Sequence, residues 1–378
     1  MPTNHALLSA SSSARWIACP PSARLTENYE DKGSIYAAEG TAFHLLGEAR
    51  LKKALGIPTE DPVENLSFYN EEMEECAQGY ASYILELLEE AKHTCSDPVV
   101  LIEQRVDFSR WVKNAFGTVD AALIADKVLH IIDMKAGRGV EVSAKGNSQL
   151  RLYSLGCLEI FDGIYDIEEI CMHIYQPRLG NISVDSITKD ELLKWAEEVV
   201  APKAELAYEG LGDFSCGEHC RFCKAKAECR ERANTNLELA KFDFKDSALL
   251  EDEEIADILG KLDAFTAWAS DIKEYALQQA ISGKEWSGWK LVEGRSTRKY
   301  TNEALVASTV ESAGFDPYEH KVLGITSMQK MLGKTRFEEL LAPYLEKPQG
   351  KPTLVPTSDK RPAINTAKND FMEENQYV

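Results

Sequence analysis

The 378-residue chain contains no apolar run approaching the ~20 residues a membrane helix needs. Its start, MPTNHALLSASSS, lacks the basic flank and apolar core of a secretory signal. These absences predict a protein at work in the cytoplasm, without a membrane partner. Positive charge is scarce, with 42 Lys and Arg against 62 Asp and Glu for a net charge of −20, and there is no dense basic stretch. A chain of that sign repels nucleic acid at long range, so any nucleic-acid function must rest on a local site or on bound cations. Internal repeats and low-complexity tracts are absent as well. The nine cysteines are an odd number with no secretion signal ahead of them, which argues against a disulfide scaffold; Cys216, Cys220, Cys223 and Cys229 crowd together, which points to a metal. With 44% hydrophobic and 28% charged residues, the length suffices for a sizeable core and for two units.

Periodicity divides the chain. GTAFHLLGEARLKKALG places Phe43, Leu46, Ala49 and Leu51 near one face, predicting a helix bounded by Gly40 and Gly56 with His44 in its first turn. Residues 70–93 repeat Met73, Ala77, Tyr80, Ile84, Leu87 and Leu88 at intervals of three and four, a long amphipathic helix. From 98 to 135 short β-branched runs separated by turn residues predict a strand meander. A helix over 147–161, a strand IEEICMHIYQP and a charged helix over 189–208 follow. The order predicts an α/β core of strands flanked by helices over 1–235. An extension over 236–342 is expected to hold a helix over 248–283, a hairpin WSGWKLVEGRSTRKYT and a helix N-capped by Thr301. Residues 343–378, with Pro and charge but little periodicity, read as an extended or disordered tail.

The most informative segment is Gly117 to Lys135. If VDAALI and VLHIID pair across a two-residue turn at Asp126 and Lys127, counting back from the turn places Asp120 opposite Asp133. Directly opposed residues share a face with Cβ atoms ~5 Å apart, where two carboxylates repel unless a cation lies between them. Lys135, two residues beyond Asp133, falls on that same face. Two anionic ligands and one cationic donor suit phosphodiester hydrolysis: carboxylates hold Mg²⁺ or Mn²⁺, and the lysine orients the nucleophile or contacts the phosphate. Asp and Lys are common on ordinary surface hairpins. Asp133, however, follows the apolar run VLHII, where an acid without metal or partner is poorly tolerated.

With G-x-x-D at Gly117 to Asp120, I-I-D-M-K ending in Asp133 and Lys135, Q-x-x-x-Y at Gln149 to Tyr153 and an upstream E-G-T-x-x-H at Glu39 to His44, the chain resembles the PD-(D/E)XK nuclease superfamily in its RecB and AddB branch. The resemblance implies a restriction-endonuclease-like α/β core, with His44, Asp120, Asp133 and the backbone carbonyl of Met134 as metal ligands and Lys135 as the catalytic lysine. It further implies Gln149 and Tyr153, one helical turn apart on one face, near the active centre and the DNA strand. The second acid is Asp where many members carry Glu.

Cys220, Cys223 and Cys229 form C-x2-C-x5-C, a spacing that lets thiolates share one metal centre. Cys216, His219 and the distant Cys19 compete for the fourth place, and by proximity alone a Zn²⁺ site with Cys216 is the default. AddB-like nucleases and the CRISPR-associated exonucleases similar to them place one Cys before the core and C-x2-C-x5-C after it. That resemblance implies a [4Fe-4S] cluster on Cys19, Cys220, Cys223 and Cys229, closing the N-terminal segment onto the end of the nuclease domain.

The C-terminal part resembles extensions of phage- and prophage-encoded proteins. Together the resemblances imply a metal-dependent DNA exonuclease acting on DNA with a single-stranded end, in phage replication, recombination or repair within a bacterial cytoplasm, beside replication or recombination proteins. Trp286, Trp289, Lys290, Arg295, Arg298 and Lys299 read first as a packed hairpin and second as a path for single-stranded DNA. Two other readings compete: a non-catalytic DNA-binding or scaffold protein retaining the fold and a structural metal cluster, and a zinc-stabilised DNA-binding protein. The intact Asp120, Asp133 and Lys135 disfavour the first, and the charge of −20 disfavours the second.

Overall fold

The computed structural model describes residues 6–29, 33, 35–238, 251–293, 300–318, 321–346, 353–355, 359 and 361–362. Two compact units divide the chain, Met1–Gln278 and Gln279–Val378. The first opens with helices α1 (Ser13–Ala18), α2 (Ser22–Leu25), α3 (Ile35–Ala54) and α4 (Glu71–Ala91). Asn70 starts α4 by accepting the Met73 N–H at 2.9 Å, and Glu71, Glu72 and Glu74 complement the positive helix end. Its buried stripe of Met73, Ala77, Tyr80, Ile84 and Leu88 follows the expected period. Helix α3 starts earlier than its glycine suggested. Gly40 lies inside the helix and His44 in its middle, not its first turn. Its two interior glycines, Gly40 and Gly47, cost about 1 kcal/mol each, little against the complete burial of Phe43, Leu46 and Leu51.

Strands β1 (Val99–Asp107), β2 (Phe116–Ala125), β3 (Val128–Met134), β4 (Glu169–Gln176) and β5 (Asn181–Thr188) form one mixed sheet in that spatial order. The pairs β1–β2, β2–β3 and β4–β5 are antiparallel; β3–β4 is parallel, its crossover carried by helix α5 (Ser148–Tyr165). The turn between β2 and β3 is as expected: Ala125 pairs with Val128 and Ala121 with Ile132, while Asp126 takes a positive φ of 54°.

Alternation along β3 splits the interior. Leu129 and Ile131 join α5 and the N-terminal helices in one core, and Ile132 and Met134 join α3 and α4 in another. Strand β5 was not foreseen because its polarity is inverted. Ile182 and Val184 are each 52% exposed, whereas Ser183, Asp185 and Asn181 hydrogen-bond the backbone of Ala144, Gly146 and Val142. A Thr188–Glu191 capping box starts helix α6 (Lys189–Trp195), continued by a π-helical turn and α7 (Ala201–Glu209). Helices α8 (Arg230–Leu237) and α9 (Asp252–Ile281) follow.

The second unit contains α10 (Glu303–Ser312), α11 (Ile325–Leu332) and α12 (Lys334–Leu341). One expectation is corrected here. Among the described residues of 286–301 none is in a strand: a turn lies at Ser287–Gly288, closed by Trp289 N–H donating to the Trp286 carbonyl at 3.0 Å, and Trp289 is 83% exposed, while residues 294–299 of the expected hairpin lie outside the described residues. Arg295, Arg298 and Lys299 lie outside the described residues. The N-cap of α10 is Asn302, not Thr301, because the Asn302 side chain accepts the Leu305 N–H at 3.0 Å. Much of the expected tail also lies outside the described residues. Among those described, no helix is long and apolar enough to cross a membrane.

Candidate functional site

At one end of the sheet, residues from β1, β2, β3, α3 and α5 converge. Asp120 and Asp133 continue the β2–β3 register just beyond the Ala121–Ile132 pair. The Met134 N–H donates to Asp120 Oδ2 at 2.8 Å, and His44 Nδ1 lies 3.3 Å from the same oxygen. Asp133 is 2% exposed, an unusual place for a carboxylate. Its Oδ1 accepts from Gln149 Nε2 at 3.1 Å. Its Oδ2 is ion-paired with Lys135 Nζ at 2.8 Å. Lys135 Nζ also donates to Gln149 Oε1 at 3.1 Å, and Gln149 Nε2 reaches the Tyr153 hydroxyl at 3.1 Å. Gln149 and Tyr153 are held on α5 by its Asn147 cap, which accepts the Gln149 and Leu150 N–H groups.

The two carboxylates differ in environment. Burial works against ionisation of Asp120, but His44 and then the Met134 amide hold its carboxyl below the ordinary aspartate value. Burial lifts Asp133 above that value, only partly opposed by Lys135. Burial also opposes protonation of His44 and Lys135, yet Asp120 raises His44 to about 9 and Asp133 keeps Lys135 above the usual lysine value.

A further carboxylate completes the cluster. Glu103 on β1 sits between the Ile102–Ala121 and Gln104–Val119 pairs, opposite Asp120, with a positive φ of 50°. Burial, then Asp120 and Glu48, push its pKa up to about 7. His44, Glu103 and Asp120 bring one ligand atom each within 4.8 Å of one another, a set able to hold a divalent cation. Sequence reasoning missed Glu103, and it also missed Arg178, which anchors the upstream motif. The buried Arg178 guanidinium lies 2.7 Å from Glu39, donates to the Ala136 carbonyl at 3.2 Å and stacks on Phe43. Gly117 has a steric reason: a Cβ there would meet Tyr153 Cε1 at 2.6 Å, so only glycine lets the Tyr153 ring lie against β2.

Far along the sequence, Cys19, Cys220, Cys223 and Cys229 line one narrow cavity of about 10 Å³ with Arg15, His219, Lys226 and Arg232. The N-terminal helices carry Cys19 there: Arg24 Nε donates to the Tyr208 carbonyl at 2.6 Å and Ser215 Oγ to the Ala18 carbonyl at 2.6 Å. The thiols of Cys19 and Cys220 raise His219 to about 10. Burial and its neighbour Cys220 raise the Cys216 thiol. Four free thiols walled by cations fit an anionic metal–thiolate centre.

Among solved structures, one described as "Crystal structure of SSO0001" is matched at 16% identity over 51% of this chain and 98% of that one, with a TM-score of 0.24; at that score the likeness bears on neither fold nor function. The model of one protein family spans nearly the whole chain, residues 5–362, so the protein belongs to the DUF2800 family, described as a protein of unknown function.

Proposed function

We propose that this protein is a DNA exonuclease that hydrolyses phosphodiester bonds with Mg²⁺ or Mn²⁺. The observation that carries the reading is the convergence of His44, Glu103 and Asp120 donor atoms beside the buried Asp133, whose Oδ2 is ion-paired with Lys135 at 2.8 Å. Gathering Glu103, Asp120 and Asp133 away from water is costly, and beyond Lys135 the partner that such a donor set fits is a divalent cation. His44, Asp120, Asp133 and the Met134 carbonyl would hold the ion, with Glu103 as an added donor. When bound, such an ion supplies Lewis acidity and lowers the pKa of water. Lys135, fixed by Gln149 Oε1, presents its ammonium to the water or the scissile phosphate, while Tyr153 braces Gln149. Phage or prophage DNA replication, recombination or repair is the proposed setting, supported by the sequence resemblance. Asp120→Asn and Asp133→Asn keep the shape but remove ligand charge, so Mn²⁺ binding by calorimetry and cleavage of end-labelled single- and double-stranded DNA should both collapse. Lys135→Ala should bind Mn²⁺ yet lose turnover by about 100-fold or more. Full activity in Asp133→Asn or Lys135→Ala would leave the assignment without a mechanism.

The same reading gives Cys19, Cys220, Cys223 and Cys229 a [4Fe-4S] cluster, supported by their shared cavity and its cationic wall. Protein purified without oxygen should be brown with about four iron and four sulfide per chain. Cys19→Ala should bleach it and Cys216→Ala should not. Stoichiometric zinc in colourless protein would sink the cluster, and the reverse mutant pattern would make the site a local tetrad.

A further inference from the structure

We propose that filling of the cysteine cavity and docking of helix α9 onto it are linked through Asp271, which acts as a positioning residue for the metal centre; this rests on the cluster reading above. Two cations of the cavity wall, Lys226 and Arg232, converge on one carboxylate of α9: Lys226 Nζ lies 2.7 Å from Asp271 Oδ1 and Arg232 Nη1 2.6 Å from Asp271 Oδ2. Arg232 is 6% exposed, so without Asp271 its charge would be buried against the cysteine wall with one anion fewer. One turn further along α9, Tyr275 donates to Glu228 Oε2 at 2.6 Å, and Tyr29 from the Cys19 side donates to Glu228 Oε1 at 3.1 Å. Glu228 immediately precedes Cys229. Thus the segment after Cys19, the cysteine loop and α9 meet at one polar knot.

The coupling has a physical sense. Residues 216–229 have little regular structure beyond the short turn Glu218–Phe222, so ligation is what would fix the loop and, with it, Lys226, Glu228 and Arg232. Those three are the receptor for Asp271 and Tyr275. A filled cavity therefore favours a docked α9, and by reciprocity a docked α9 retains the metal centre.

The test uses the full-length protein loaded without oxygen. Visible absorbance follows cluster loss under a chelator, and amide hydrogen exchange follows residues 252–278. Asp271→Asn should still load, lose its cluster about fivefold faster or more, and exchange faster in α9; Asp271→Glu should restore most of both. Stripping the wild type should raise exchange in α9. Loaded Asp271→Asn that bleaches at the wild-type rate overturns the linkage while leaving the cluster standing. Wild-type protein that takes up no iron overturns the cluster and the linkage with it.

Discussion

Glu103 holds a left-handed backbone conformation within a strand, at φ 50°, which costs a non-glycine residue about 1–3 kcal/mol unless its surroundings impose it. Here they do, because the side chain is carried against His44 and Asp120. Glu103→Gln preserves size and removes the charge, so Mn²⁺ affinity should fall by about 10–100-fold, the range for losing a supporting group, with little change in unfolding temperature. Calorimetry beside a melting curve measures both, and unchanged affinity would remove Glu103 from the metal site. The residues legible in the sequence are those whose placement is local: Asp120, Asp133 and Lys135 follow from a two-residue turn, and Gln149 and Tyr153 from one turn of α5. Glu103 depends on how β1 pairs with β2 across 108–115, a connection with no short turn to fix its register, and Arg178 meets Glu39 only through the tertiary fold.

Between helix α4 and strands β3 and β4 runs a second polar chain, away from the carboxylates. The Tyr83 hydroxyl lies 2.8 Å from His173 Nδ1, and His173 Nε2 lies 3.1 Å from His130 Nδ1. Burial, then the neighbouring His130, lower His173 to about 4 from 6.5. In the unfolded chain His173 takes up its proton near pH 6.5, in the folded one only near 4, so across that window the unfolded state binds more protons. Stability should therefore fall as pH drops from 6.5 towards 4. In urea titrations at a series of pH values, His173→Gln should flatten that slope by up to about 1.4 kcal/mol per pH unit. Parallel profiles for wild type and variant would show that His173 is not what titrates. Periodicity made α4 legible, since its apolar stripe is continuous; β5 was hidden because Asn181, Ser183 and Asp185 on its inward side are polar and serve the 142–146 loop, leaving Ile187 alone of that side to pack on the core.

The residues assigned a role in binding or chemistry run from Cys19 to Tyr275, all within the first compact unit. A net charge of −20 gives the whole molecule no long-range attraction for DNA, so the proposed contact with a phosphate would depend on the local site and a cation held there. Residues 347–378 scarcely change this balance, with Lys347, Lys351, Lys360, Arg361 and Lys368 against Asp359, Asp370, Glu373 and Glu374. Nor does their composition offer an apolar face whose loss would expose a core. A chain ended after Glu346, which spares the turn at Ala342–Tyr344, should therefore keep its iron content, its Mn²⁺ affinity and its cleavage rate within about twofold, the modest scale expected of a change away from the proposed sites. The salt dependence of DNA binding should also be unchanged, because its slope counts phosphate contacts. A truncated protein that folds and binds Mn²⁺ but shows a shallower salt slope and little cleavage would place substrate-holding contacts in the last residues of the chain.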